Sequence, residues 1–327
     1  MQSKFKVVHP GVHSLIQDNG RVGFAHLGVT TGGVADKQAY YWLNRMLQNE
    51  QNAACIEITF GGLKLHSLCE QVICLTGADM PLTINGQLQR NWCSHQVKSG
   101  DVIAVGYAKS GLRSYFGVHR GFKFEPQFGS CSTVVREQLG GLNGQALKVG
   151  DELGCDLLST ITNGEKKTTH VKCFALGVMD IPRYHQTVTI RVVLGYQYQA
   201  FEKNERDVFF NNEYLVSKQF DRMGYRLHGV QIHSNVQALK SEGICYGAIQ
   251  IPPDGQPIIL LNDRQTLGGY PKLGSIFSLD GDKLAQCGQG AKINFVEITA
   301  EHAKQLLIEA QSQRQSIQLK RFQPSSG

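Results

Sequence analysis

The 327-residue chain has no cysteine pair at Cys-x-x-Cys spacing. It has no apolar run near the roughly 20 residues that span a membrane, and no block of like charge longer than pairs such as Lys166-Lys167 and Lys320-Arg321. Nine cysteines stand singly at Cys55, Cys69, Cys74, Cys93, Cys131, Cys155, Cys173, Cys245 and Cys287, an odd count. They read as small buried hydrophobes in a reducing compartment rather than as bridges or zinc ligands. Met1 to Pro10 lacks the apolar stretch of a signal peptide, so the expectation is a cytoplasmic protein with no membrane segment. The net charge of +6 is spread along the chain, and nucleic-acid binding gains no support from it. Eleven isolated histidines without an H-E-x-x-H pair argue against a metal site. The phosphate loop G-x-x-x-x-G-K-[ST], a G-x-G-x-x-G opening a helix and the nucleophile elbow G-x-S-x-G are also absent, which removes the commonest nucleotide and acyl-transfer folds.

What is present is glycine-punctuated strand. With 41% hydrophobic residues, 18% charged residues and 36 glycines, the chain can bury one large or two medium cores. Val72 to Leu75, Val102 to Val105, Thr187 to Leu194, Ile258 to Leu261 and Ile293 to Ile298 read as strands bounded by turn residues. Gly-Asp recurs before an apolar step at Gly100-Asp101, Gly150-Asp151 and Gly281-Asp282, and each is read as a turn entering a strand. Few helices interrupt this pattern. One is predicted after Asp36 as N-cap, with Ala39, Leu43, Met46 and Leu47 on one face; another spans about Ala300 to Ser312. The expected class is mainly β, with a barrel or sandwich plan in two β-rich halves. The polar stretch Asn163 to His170 lies in the expected boundary zone between about Gly164 and Gln186. The halves are residues 1–186 and 187–312, and Gln313 to Gly327 reads as a flexible tail.

Four stretches carry candidate chemistry. The longest runs from Gly247 to Pro271. There a Pro252-Pro253-Asp254-Gly255 turn feeds the apolar Ile258 to Leu261, which ends in the polar tip Asn262-Asp263-Arg264-Gln265-Thr266. Asp263 and Arg264 could hold a ligand, or simply pin a strand end. Near the N-terminus, Gln17-Asp18-Asn19-Gly20-Arg21 sets a carboxylate and a guanidinium around an Asn-Gly turn, either as a displayed pair or as a hairpin closure. Thr76-Gly77-Ala78-Asp79 ends another apolar strand with Asp79 at its mouth or in a plain turn. Asp221-Arg222-Met223-Gly224-Tyr225-Arg226-Leu227 offers guanidinium forks suited to carboxylate or phosphate, and Arg113 is a further arginine of the same kind. Asp18, Asp79, Arg222 and Arg264 are the catalytic candidates. Gln17, Arg21, Arg113, Gln250, Gln265 and Thr266 are the substrate-binding candidates.

Together with Pro10-Gly11, Gly28-Val29 and Arg191-Val192-Val193-Leu194-Gly195, these stretches resemble the biotin-dependent carboxyltransferase family, also called allophanate hydrolase subunit 2 or KipI antagonist. The likeness covers most of the chain. Departures occur at Tyr196, where the family pattern has proline, at Cys131, where it has arginine, and at Leu267, where it has threonine. The resemblance implies a cyclophilin-like β-barrel. It also implies a partner, the KipI-like B component of 5-oxoprolinase, that completes a composite active site, and the lactam-hydrolase A component beside them. The implied activity is ATP-dependent opening of 5-oxo-L-proline to L-glutamate, with ATP engaged through the complex. An arginine such as Arg222 or Arg264 would clamp the substrate carboxylate, and Asp18 or Asp79 would orient the lactam N–H or handle a proton. The chain has no Ala-Met-Lys-Met biotinylation sequence, so no biotin is expected on it. Two other readings are a carboxyltransferase component of the urea carboxylase kind and a binding protein that antagonises a KipI-like kinase inhibitor without chemistry of its own.

Overall fold

The computed structural model describes residues 3–162, 165–168, 171–236 and 239–322. The chain divides into two compact units, one of residues 1–20, 32–183 and 318–327, the other of residues 21–31 and 184–317. The chain adopts the mainly β, barrel-containing class read from sequence.

The first unit is built on two antiparallel sheets. The larger runs in the order Glu152–Cys155, Ser3–Pro10, Leu63–Ser67, Val102–Val105, Leu82–Ile84, Gln87–Gln89. The second runs His13–Gln17, Cys55–Thr59, Ser110–Val118, Gln71–Asp79, Ser94–Val97. Alternation along these strands turns Phe5, Val7, Ile56, Ile58, Ile73, Leu75 and Phe116 into one core. There the rings of Phe5 and Phe122 meet edge to face, with centroids 6.0 Å apart. Helix Lys37–Met46 begins where Asp36 Oδ1 accepts the Ala39 N–H at 2.9 Å, the cap expected from sequence. It buries Ala39, Leu43 and Met46 together with Trp42. Gly117 permits the packing, since a Cβ there would stand 2.9 Å from Leu47 Cδ1.

The second unit is a closed barrel. Its seven strands run in the order Thr187–Leu194, Lys272–Ile276, Ala248–Gln250, Ile258–Leu260, Gly224–His228, Tyr214–Phe220, Lys292–Glu297. Closure is made by the parallel pairing of Lys292–Glu297 with Thr187–Leu194, in register from Thr187 opposite Lys292 to Val192 opposite Glu297. Tyr225, Leu227, Ile249 and Ile259 point inward to a core with Phe209, Tyr214 and Phe295. Gly224, Arg226, Ile258, Leu260 and Gln250 alternate to the outer wall.

Three expectations are corrected. Gly281-Asp282 does not enter a strand but lies inside the short helix Asp280–Leu284. The reason is Asp280, a fully buried carboxylate that accepts Arg191 N–H at 2.9 Å, Arg191 Nε at 2.8 Å and Arg191 Nη2 at 2.7 Å, anchoring the segment under strand Thr187–Leu194. The terminal helix runs Ala300–Ser316, capped by Thr299, and stops four residues later than expected. Gln313 does not begin a loose tail: after the helix, Lys320–Phe322 pairs antiparallel with Cys173–Ala175. Residues 323–327, and 163–164 and 169–170 of the polar boundary stretch, lie outside the described residues. Seven cysteines are buried as expected, whereas Cys131 is half-buried and Cys245 is exposed.

Asp280 carries a pH dependence. Burial pushes its carboxyl pKa up, but the bonds from Arg191 and then Lys283 outweigh burial, and the net direction is below the ordinary value. A carboxyl depressed in the folded state contributes stability above its unfolded pKa of about 4. That contribution is lost as pH falls through the folded value. Asp280→Asn is therefore expected to lower stability at neutral pH, and its gap from wild type should narrow as acid unfolding is approached below about pH 4. Urea unfolding across the acid range checks this, and a gap independent of pH would contradict it.

Candidate functional site

The outer wall of the barrel carries a pocket of about 540 Å³ whose lining includes Gln250, Gln265, Lys218, Arg226, Met223, Ile258, Leu260 and Tyr270. Gln250 ends strand Ala248–Gln250 and is 2% exposed, yet its Nε2 has no hydrogen-bond partner. Gln265 reaches the same space from the polar tip. A Cβ built on Gly268 would collide with Ile244 Cδ1 and stand 2.9 Å from Gln250 Nε2 and 3.3 Å from Gln265 Nε2, so this glycine lets Ile244 and both amides pack closely against the flap backbone. Arg226 pairs with Asp254, while Lys218 has no carboxylate partner among the described residues. Ile258, Leu260, Met223 and Phe220 form the apolar part of the wall, and Gln219 and Asp221, whose Oδ1 accepts the Met223 N–H at 2.7 Å, add polar groups to the lining.

Gly268 is held in place by a two-residue ladder in which Glu242 faces Gly268 and Gly243 faces Leu267. Glu242 is the anchor of this flap. Its carboxylate takes Lys272 Nζ, the Tyr196 hydroxyl and, at 2.6 Å, Gln197 Nε2, and these contacts, led by Lys272, hold its pKa below the usual carboxylate range. The Lys272 N–H donates to Gln197 Oε1 at 2.8 Å, which closes the cluster. Two of the positions that depart from the family pattern, Tyr196 and Leu267, thus lie on this flap and its clamp.

Arg264 ties the same flap to the barrel. Its Nε donates to the Ile244 carbonyl and its Nη1 to the Leu261 carbonyl, both at 3.1 Å. Burial lowers its pKa from the ordinary value. Thr266 accepts the Ile244 N–H through its backbone carbonyl at 3.0 Å and so belongs to the same strap. Arg222 is 7% exposed and forks onto Asp263, with Nε to Oδ2 and Nη2 to Oδ1 both at 2.9 Å. Neither arginine of the predicted catalytic pair presents a fork to a ligand in this arrangement. Of the alternatives open in sequence, the pinned strand end describes Asp263.

In the first unit, Asp18 is 1% exposed and saturated by hydrogen bonds. Its Oδ1 accepts from Ser130 Oγ at 2.6 Å, Ser132 Oγ at 2.8 Å and Gly20 N–H at 2.8 Å, and its Oδ2 accepts from Cys131 N–H at 2.6 Å. Neighbouring Gln17 donates Nε2 to the Thr133 carbonyl at 2.9 Å, and its buried Oε1 has no partner. Asp79 lies at the exposed end of Gln71–Asp79, as predicted. Arg113 is 3% exposed, 3.8 Å from Glu57. Glu57 Oε2 also receives Ala35 N–H at 2.9 Å and the Tyr115 hydroxyl at 3.0 Å. Burial, then the neighbouring Glu57 charge, pushes the Tyr115 hydroxyl well above its usual pKa and keeps it a donor. In the second unit, Arg21 is 1% exposed and its N–H reaches the Thr31 carbonyl at 2.6 Å.

The pocket thus unites two of the ten sequence candidates, Gln250 and Gln265, with Thr266 and Arg264 supporting its flap. Lys218, Glu242 and Lys272 were missed. Glu57 had a readable signal, a lone carboxylate in the otherwise uncharged strand Cys55–Thr59. Among the described residues no group of three or more His, Cys, Asp or Glu could hold a metal ion, and no helix is long and apolar enough to cross a membrane.

The family described as carboxyltransferase domain, subdomain A and B, matches residues 27–297. The C component of 5-oxoprolinase from Haemophilus influenzae is 33% identical over 89% of this chain and 90% of its own length. The protein of the same name in Escherichia coli is 33% identical over 91% of this chain and 92% of its own. The crystal structure of the K. lactis urea amidolyase superposes with a TM-score of 0.87 at 26% identity, covering 97% of this chain and 20% of that much longer protein. With a match over most of its length at both levels, the chain belongs to the carboxyltransferase-domain family, subdomains A and B.

Proposed function

We propose that the chain is the C component of an ATP-dependent 5-oxoprolinase, active with a KipI-like B component and a lactam-hydrolase A component. The observation that carries this reading is the 33% identity to two 5-oxoprolinase C components, spanning about nine-tenths of both chains. The chemistry is compatible. A lactam carbonyl is a poor electrophile, and transfer of the terminal phosphoryl group of ATP to its oxygen, with ADP leaving, would activate the ring carbon. Water adding there would give a tetrahedral species that breaks the ring C–N bond, the nitrogen leaving as the amine, and hydrolysis of the resulting carboxyl phosphate would release glutamate and phosphate. The barrel pocket offers amide groups for a lactam and apolar walls for its ring. It does not fit ATP, because among the described residues a single cation without an ion pair, Lys218, lines it against a triphosphate's several charges. ATP is accordingly assigned to the assembly rather than to this pocket.

Carboxyl transfer to urea is the second reading, favoured by the urea amidolyase superposition. Reconstitution separates the two. The three purified components together are expected to form glutamate from 5-oxo-L-proline only with ATP present, and omission of this chain should abolish turnover. Glutamate formed at the same rate without this chain would overturn the proposal. Turnover of urea with bicarbonate, ATP and a separate biotinylated carrier, and none with oxoproline, would select the second reading. A tight complex with the KipI-like protein but no turnover of either substrate would mark a purely binding role.

A further inference from the structure

The geometry points to a binding subsite on the outer wall of the barrel for a small molecule carrying an amide-type carbonyl, with Gln250 as the hydrogen-bond donor and Gly268 as the residue whose missing side chain leaves Gln250 its position in the wall. Buried donors in folded proteins almost always have acceptors, because an unmade bond forfeits the desolvation cost of the group. Gln250 Nε2 breaks that rule, and Gln250 lines a pocket large enough to admit an acceptor. The core does not need it there, since the inward face of the same strand is filled by Ile249.

Gly268 makes the second, independent argument. The flap that carries it is fixed by the Glu242 cluster and by Arg264, so its backbone is held against the two amides. Any larger residue would place its Cβ against Gln250 Nε2, Gln265 Nε2 and Ile244 Cδ1, displacing the amide of Gln250 from its place in the wall. The apolar walls suit a compact ring or short hydrocarbon, and Lys218 suits a carboxylate at the rim. A lactam with a carboxyl group and a urea share the carbonyl flanked by N–H. The choice of 5-oxo-L-proline as a probe rests on the proposed function; the subsite itself rests on the amide and the glycine.

The test is a titration of the isotopically labelled full chain, following side-chain amide and nearby backbone resonances, with 5-oxo-L-proline, urea and, as a control lacking the carbonyl, L-proline. Saturable shifts centred on Gln250 and Gln265 are expected with 5-oxo-L-proline and not with L-proline. Gln250→Met and Gly268→Ala should weaken binding by about tenfold or more. Gln250→Met should also keep or raise the thermal midpoint, because it removes an unpaired buried donor; a merely structural glutamine would instead lower it. Shifts with urea alone would support the subsite while overturning the oxoproline reading. No saturable shift with either molecule, or unchanged binding by both variants, overturns the subsite whatever the assembled enzyme does.

Discussion

Arg222→Ala is expected to destabilise the barrel unit by about 3–5 kcal/mol, the usual cost of removing one partner of a buried ion pair. Arg222 and Asp263 are 7% and 8% exposed, and the two hydrogen bonds between them are parallel and both 2.9 Å long. Truncation leaves the Asp263 carboxylate in a site that water reaches poorly, without its counter-charge. Asp263 also stands at a junction, since its N–H donates to the Arg222 carbonyl at 2.9 Å and the next strand partner, Leu261, donates to Met223 at 2.8 Å. Arg222→Lys should rescue only part of the loss, because an ammonium cannot reproduce the two-pronged contact. Arg222→Met combined with Asp263→Leu should recover more than either single change, as replacing both charges removes the stranded one. Urea unfolding of the wild type, the four single variants and the double variant measures each step. If Arg222→Ala unfolds like wild type while abolishing turnover in the assembled enzyme, the arginine acts on substrate and the structural role assigned to it is wrong.

The difference between Arg222 as read in sequence and Arg222 as found marks the limit of sequence reading here. A guanidinium at a strand tip is visible in one dimension; its partner, forty-one positions away, is not. Strands were legible because apolar runs between glycines announce themselves, and Val102–Val105 and Thr187–Leu194 occur at the expected bounds. Barrel closure was not, because it depends on parallel pairing of two segments about a hundred residues apart. The Gly281-Asp282 error has a similar source: turn chemistry is the same before a strand or inside a short helix, and the deciding contact comes from Arg191. Gln250 was legible as a polar residue closing an apolar strand. The absence of an acceptor for its amide is a property of the packed barrel and could not be read from its neighbours in the chain.

Asp18 gives the second large effect, and Asp79 is its control. Asp18→Ala is expected to cost about 3–5 kcal/mol, because hydrogen bonds to a charged acceptor contribute roughly 1.5–3 kcal/mol each and do not add fully. Four donors converge on this carboxylate from Gly20, Ser130, Cys131 and Ser132, so its removal strands them in a site that is 1% exposed. Asp18→Asn should be nearly as harmful. Its Oδ1 could still accept from the serines, but its NH2 would face the Cys131 N–H, a donor against a donor. Asp79 sits exposed at its strand end, and Asp79→Asn is expected to change stability by less than about 0.5 kcal/mol. The two aspartates therefore separate stability from chemistry. Loss of turnover in Asp79→Asn with an unchanged unfolding midpoint would mark it as the working carboxylate. Asp18→Ala should lose activity only in proportion to its folded fraction, and a fully folded, inactive Asp18→Ala would return Asp18 to the catalytic role read from sequence.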